Sequence, residues 1–110
     1  MNLLFNCSMN QWRSPTAEKV WQKEVGISVR SAGTSRKAKR KISLKDIQWA
    51  DLIFFMEEKH KSRVRAEFRQ DLSHKKMFVL DIPDDYQFMD PELVELIWQK
   101  TEGLVSGFVA

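Results

Sequence analysis

Apolar positions along the chain fall into short continuous runs that alternate with stretches of helical spacing. Leu3 to Asn6 is an apolar run that stops abruptly in polar residues, and from Ser14 onward Ala17, Val20, Trp21 and Val25 recur on one helical face. Ser14 suits the N-cap of that helix, with Pro15 in its first position and Glu18 in its first turn. The expected order is strand, loop, helix. Gly26 is placed to end the helix, and Ile27 to Ala32 alternates as a second strand.

A polar, basic connection from Gly33 to Lys41 leads to Ser43-Leu44-Lys45-Asp46, which predicts a capped, brief helix through Ala50. Leu52 to Phe55 is a continuous apolar run suited to a strand buried on both faces. Glu57 to Phe68 is charged and helix-prone, anchored by Val64 and Phe68 on one face. Met77 to Ile82 reads as a further strand, and Asp90-Pro91 opens a final helix carrying Leu93, Val94, Leu96, Ile97 and Leu104. Such alternation implies a parallel sheet with right-handed crossovers and helices on both faces, a three-layer α/β/α sandwich.

The 110 residues suit one domain, 1–110. With 43% hydrophobic and 30% charged residues, the chain has the balance of an ordinary globular protein rather than a disordered or membrane one. No apolar run approaches the ~20 residues that span a bilayer, so no membrane partner is expected. The opening Met-Asn-Leu-Leu-Phe-Asn offers no basic leader, and a single cysteine suits a reducing compartment, so a cytoplasmic protein is expected. A net charge of +3 and a pI near 9.1 indicate mild attraction to anions without choosing between phosphorylated substrates and nucleic acid.

Candidate chemistry concentrates in Cys7-Ser8-Met9-Asn10-Gln11-Trp12-Arg13-Ser14, between the first strand and the first helix. In open α/β sheets ligands bind beyond the carboxyl ends of the strands. Unpaired N–H groups and the dipole at a helix start favour an anion there. The residues between Cys7 and Arg13 are enough for the backbone to curl into a nest of inward donors, with the Arg13 guanidinium as a bidentate clamp on phosphoryl oxygens. Cys7 then stands as nucleophile, and Ser14 as a donor to the sulfur when it leaves as thiolate. The competing reading of Cys7 is a buried structural thiol at a strand end. The flanking strand, Ser14, Pro15 and the helix start favour the chemical reading.

Several of these pieces recur together. Leu-Leu-Phe-Asn-Cys7 followed by five residues and Arg13-Ser14-Pro15-Thr16-Ala17-Glu18 is the first. Val29-Arg30-Ser31-Ala32-Gly33-Thr34, then Trp49-Ala50-Asp51-Leu52-Ile53 before Met56-Glu57, and finally Ile82-Pro83-Asp84-Asp85-Tyr86 follow it. In kind and order they resemble the motifs of the low-molecular-weight protein tyrosine phosphatase family, over most of the chain. The resemblance implies a four-stranded parallel sheet in the order 2-1-3-4 and a two-step hydrolysis of a phosphomonoester through a phosphocysteine. In it Cys7 is the nucleophile, Arg13 the transition-state clamp and Asp84 the general acid. It further implies that the loop Ser8, Met9, Asn10, Gln11, Trp12, Arg13 and Ser14 binds the phosphate, with Asn10 holding the loop's conformation. Met9 stands at the family's loop glycine and Trp12 at its second cysteine, and a helix and cleft-shaping segment after Thr34 are skipped. Asp81 and Asp85 flank Asp84 and can serve as the acid in its place, since spacing does not choose among carboxylates. The expected substrate is a phosphorylated protein or a small phosphoester, handled without metal or cofactor.

Arg36-Lys37 and Lys39-Arg40-Lys41 place five bases in six positions. They read first as a solvated charge run and second as a patch that recruits an anionic substrate or RNA backbone. A non-catalytic anion- or RNA-binding module is therefore the rival function, and arsenate reduction with partner thiols a third. Lys59 to Arg65 reads as the wet face of a helix, and His60 and His74 lack partners at metal-ligand spacing. Trp21 and Trp98 read as core, and Trp12 as either a cleft wall or packing under the loop.

Overall fold

The computed structural model describes residues 1–109. Strands and helices alternate throughout: β1 (Asn2–Cys7), α1 (Arg13–Trp21), β2 (Ser28–Gly33), α2 (Leu44–Trp49), β3 (Leu52–Phe55), α3 (Glu58–Phe68), β4 (Lys76–Val79) and α4 (Pro91–Val109). All four strands are parallel, in the order β2-β1-β3-β4, as the family resemblance implies. After β1 the chain crosses to one side of that strand and after β2 to the other. The switch point therefore falls beyond the carboxyl end of β1, where Cys7 lies.

Period-two alternation assigns each strand side chain to a layer. Leu3, Phe5 and Cys7 of β1, with Leu52 and Phe54 of β3, pack against Ala17 and Trp21 of α1 and Leu93, Ile97 and Val105 of α4. Leu4, Ile53 and Phe55 face the other way, onto Ile47 of α2 and Val64 of α3. Phe5 and Phe54 stack across the strand pair at 4.8 Å between ring centroids. Trp21 and Trp98 meet at 4.9 Å, and Trp21 Nε1 donates to Thr101 Oγ1 at 2.9 Å, so the indole is buried with its donor satisfied.

The first helix departs from the sequence expectation at both ends. It begins at Arg13, one residue before the expected cap, so Ser14 is inside the first turn and its hydroxyl is free for other work. It ends at Trp21 rather than Gly26, and Val25, expected on the apolar face, is fully exposed. Gly26 instead adopts φ +80° in the turn before β2, a conformation that suits glycine. β4 stops at Val79, short of the expected Ile82, because Asp81 turns left-handed at φ 55°. Leu80 and Ile82 nevertheless donate to the Phe55 and Met56 carbonyls at 2.8 Å each.

The connection from β2 to α2 is held by internal bonds rather than left loose. Gly33 N donates to Arg40 O at 2.8 Å and Ile42 N to Gly33 O at 2.9 Å. The Arg40 guanidinium donates to Ser31 O and pairs with Asp46, which Arg30 also approaches at 3.4 Å. Asp46 closes a capping box with Ser43 at the start of α2. Burial opposes charge on Asp46, but the Arg40 and Ser43 hydrogen bonds outweigh it and hold the carboxyl below its usual range. One member of the basic run is thus a structural tie.

Gly33 sits where this connection meets the loop after β1. A Cβ there would collide with the Ala38 side chain and lie 2.7 Å from Ser8 O and 3.0 Å from Asn10 N. Gly33→Ala is therefore expected to lower stability by about 1–3 kcal/mol, read as a shift of the urea midpoint at unchanged m-value.

Candidate active site

The segment after β1 turns its first three carbonyls outward and the N–H groups that follow them inward. The Cys7, Ser8 and Met9 carbonyls accept from Thr34 N, Ser35 N and Lys39 N at 2.9, 3.0 and 3.0 Å. In a trans peptide the next N–H points opposite to the carbonyl, so those of Ser8, Met9 and Asn10 face the loop interior. The N–H groups of Ser8 through Trp12 find no protein acceptor among the described residues. Asn10 makes the turn at φ 54°, tolerable for asparagine, whereas Met9 carries no such strain and presents a part-exposed side chain. The result is a nest of donors at the start of α1, where the helix dipole adds to the field.

A directed chain of hydrogen bonds ends on the sulfur. The Glu18 carboxylate accepts from Ser31 Oγ at 2.5 Å, so the Ser31 oxygen is left to accept from Asn10 Nδ2 at 2.9 Å. The other Asn10 amide hydrogen goes to Ser14 Oγ at 3.0 Å, and Ser14 Oγ stands 3.0 Å from Cys7 Sγ. The Ser14 proton has two acceptors, the sulfur and Ala32 O at 3.3 Å. It can turn to sulfur when sulfur is charged and to the carbonyl when sulfur holds its own proton. Cys7 is buried, yet it lines a pocket of about 40 Å³ with Ser8, Met9, Gln11, Trp12, Arg13 and Asp84.

Arg13 is fixed on three sides. Its Nη1 donates to Glu57 Oε2 at 2.5 Å and to Ile82 O at 2.8 Å, and its Nε lies 3.6 Å from Asp84 Oδ1. The hydrogen bond from Arg13 holds Glu57 below the usual carboxylate range. Of the three candidate acids, Asp84 borders the Cys7 pocket, while Asp81 borders a separate groove with Glu57, Glu58 and Pro83. Asp85 is exposed and enters no ion pair among the described residues. The segment carrying Asp84 is tied down by Tyr86 against the α1/α4 core. Met89 N also donates to Thr16 Oγ1 at 2.9 Å, and Thr16 Oγ1 donates to Trp12 O at 2.6 Å. Trp12 itself is 38% exposed at the pocket mouth.

Two participants escaped the sequence reading. Glu57 holds Arg13, and His60, expected on a wet helix face, is fully buried. His60 Nδ1 accepts from Glu57 N at 3.0 Å, so the neutral ring carries its proton on Nε2 and donates to Ser8 Oγ at 2.9 Å. Burial, with a contribution from the Arg13 charge, pushes His60 down to about 4. The only signal in the sequence was the position of His60 three residues after Glu57, at the first turn of α3.

No protein-family model and no curated protein matches the sequence. Solved structures do match. Wzb of Vibrio vulnificus, in complex with benzylphosphonate, superposes with a TM-score of 0.77 at 20% identity, over 96% of this chain and 97% of that one. SP-PTP, a low-molecular-weight protein tyrosine phosphatase of Streptococcus pyogenes, gives 0.75 at 20% identity, over 96% and 91%. The Drosophila arginine phosphatase DARP gives 0.75 at 20% identity, over 100% and 99%. The chain has the fold of the low-molecular-weight protein tyrosine phosphatases.

The buried neutral His60 makes stability depend on pH. Its native pKa lies below the unfolded value of 6.5, so the unfolded state binds the proton first as pH falls and stability declines from pH 6.5 toward 4. Between pH 7 and pH 5 the expected loss is about 2 kcal/mol, above the range in which Glu57 and Asp46 titrate. Urea titrations at the two pH values measure it, and His60→Gln is expected to remove this component.

Proposed function

We propose that this chain is a cysteine-dependent phosphatase that hydrolyses phosphomonoesters, carried by phosphorylated protein side chains or small aryl phosphates. The observation that carries this reading is the convergence on one small pocket of Cys7, the loop residues Ser8 and Met9 with their inward N–H groups, Arg13 and Asp84. Sulfur, cradle, clamp and acid are the set that phosphoryl transfer to a thiolate requires.

In the first step the Cys7 thiolate attacks phosphorus. The S–P bond forms as the bond to the leaving oxygen breaks, and Asp84 gives that oxygen a proton. The inward N–H groups and Arg13 hold the equatorial oxygens, where charge is spread in the transition state. In the second step Asp84, now ionised, takes a proton from a water that attacks phosphorus. The S–P bond breaks, and Ser14 turns its hydroxyl toward the departing thiolate. The products are the alcohol or phenol and inorganic phosphate.

The remaining groups act through these. Glu57 and the Ile82 carbonyl fix the guanidinium plane, which lowers the ordering cost of clamping the phosphoryl group. The His60 donor occupies the Ser8 oxygen and leaves the Ser8 proton free to reach the bound anion. Among the similar structures, SP-PTP is a protein tyrosine phosphatase, which matches a phosphomonoester substrate, whereas DARP, an arginine phosphatase, acts on a P–N bond. At the mouth, part-exposed Trp12 and Met9 offer an apolar rim for an aryl group, the kind of ligand Wzb holds as benzylphosphonate.

Cys7→Ser is expected to abolish hydrolysis of p-nitrophenyl phosphate while orthovanadate still binds by calorimetry; unchanged turnover overturns the proposal. Asp84→Asn should lower kcat/KM, which reports formation of the phosphocysteine, about 100-fold or more for phenyl phosphate and far less for p-nitrophenyl phosphate, whose leaving group needs no proton. Asp81→Asn and Asp85→Asn are expected to leave kcat within about twofold.

A further inference from the structure

Positive charge concentrates in the middle of the chain. Residues 30–76, which supply α2 and α3, hold fourteen of the eighteen Lys and Arg but six of the fifteen Asp and Glu, a net +8 that leaves −5 on the rest of the chain. Two open grooves run along the exposed side of α3 in that basic segment. One, of about 450 Å³, lies between α3 and the segment after β2 and is bordered by Ser35, Arg36, Lys37, Arg63 and the paired Lys41 and Glu67. The other, of about 600 Å³, lies toward β4 and is bordered by Ser62, Arg65, Arg69, Ser73 and Lys75. Ala66 borders both, beside the Lys41–Glu67 ion pair in the first.

The cations are available. Arg36, Lys37, Arg63, Arg65 and Arg69 are exposed and enter no ion pair among the described residues. Arginine and lysine interleaved with serine hydroxyls is the donor set that meets phosphate oxygens along a nucleic-acid backbone. A protein partner would call for apolar or aromatic anchors at the centre of the face. The large exposed apolar side chains are Met9, Trp12, Val25, Leu44, Phe88, Met89 and Phe108, of which Leu44 alone belongs to this layer. The aromatic rings nearby are covered by cations, Trp49 by Arg30 at 4.2 Å and Phe68 by Lys41 at 5.9 Å, which leaves no stacking platform for unpaired bases.

We propose that the α2/α3 face is a sequence-independent binding track for the phosphate backbone of duplex nucleic acid, crossing α3 at Ala66 and separate from the Cys7 pocket. Contact is electrostatic, through the arginines of α3 and the basic segment after β2.

The test is fluorescence anisotropy with a 16-base-pair RNA duplex and the matching DNA duplex, both with hydroxyl ends. Orthovanadate is present in excess, so that the Cys7 loop is not the reporter. Binding is expected for either duplex, with log K falling against log salt at a slope of roughly −4 to −5, as five phosphate contacts require. The triple variant R63Q, R65Q and R69Q should lower the magnitude of that slope by about 3. Lys19→Gln with Lys23→Gln, on the opposite layer, should leave it unchanged, and urea midpoints establish that both variants are folded. No binding at low salt, a triple variant with the parent's slope, or equal loss in the control variant overturns the proposal. Preferential binding of poly-glutamate over both duplexes also overturns it.

Discussion

The candidate site depends on one backbone constraint: the outward pinning of three successive carbonyls after β1. Once Thr34, Ser35 and Lys39 take the Cys7, Ser8 and Met9 oxygens, planarity of the peptide leaves the following N–H groups no direction but inward. This arrangement requires the chain after β2 to lie against the loop at backbone distance, which Gly33 permits. It also requires that segment to hold still. Arg40 supplies the tie, through Ser31 O and Asp46, and the Ser43–Asp46 box fixes where α2 begins.

Polar groups around the loop are buried, and burial without partners would be costly. The chain answers with a directed network in which each member has one role. Glu18 accepts, Ser31 and Asn10 relay, and Ser14 faces the sulfur. Arg13 is treated in the same way, its charge met by Glu57 and approached by Asp84. A guanidinium left unpaired at 2% exposure would be strongly destabilising, so these partners stabilise the fold while fixing the geometry of the site.

Charge is also organised on a larger scale. Residues 30–76 carry a net +8 and the rest of the chain a net −5, although the whole chain is only mildly basic. The basic run after β2 divides between two tasks. Arg40 is spent on the fold, whereas Arg36 and Lys37 remain outside and border a groove.

The sequence by itself determined the alternation of elements, the parallel sheet and the identity of the loop after β1. Those features are written in local spacing: apolar runs, a helix start beside Pro15, the Ser43 box and the continuous Leu52–Phe55 strand. It misplaced the start of α1 because Ser14 suits a cap as well as it suits the sulfur, and only the fold shows which use it has. Tertiary structure alone decided that Glu57 reaches Arg13, that His60 is buried against Ser8, that Asp84 rather than Asp81 borders the pocket, and that Gly33 admits Ser8 at close range. Each of these joins positions twenty-five or more residues apart. Periodicity cannot encode such pairs, because they arise only when four strand ends and their loops are brought to one edge of a sheet.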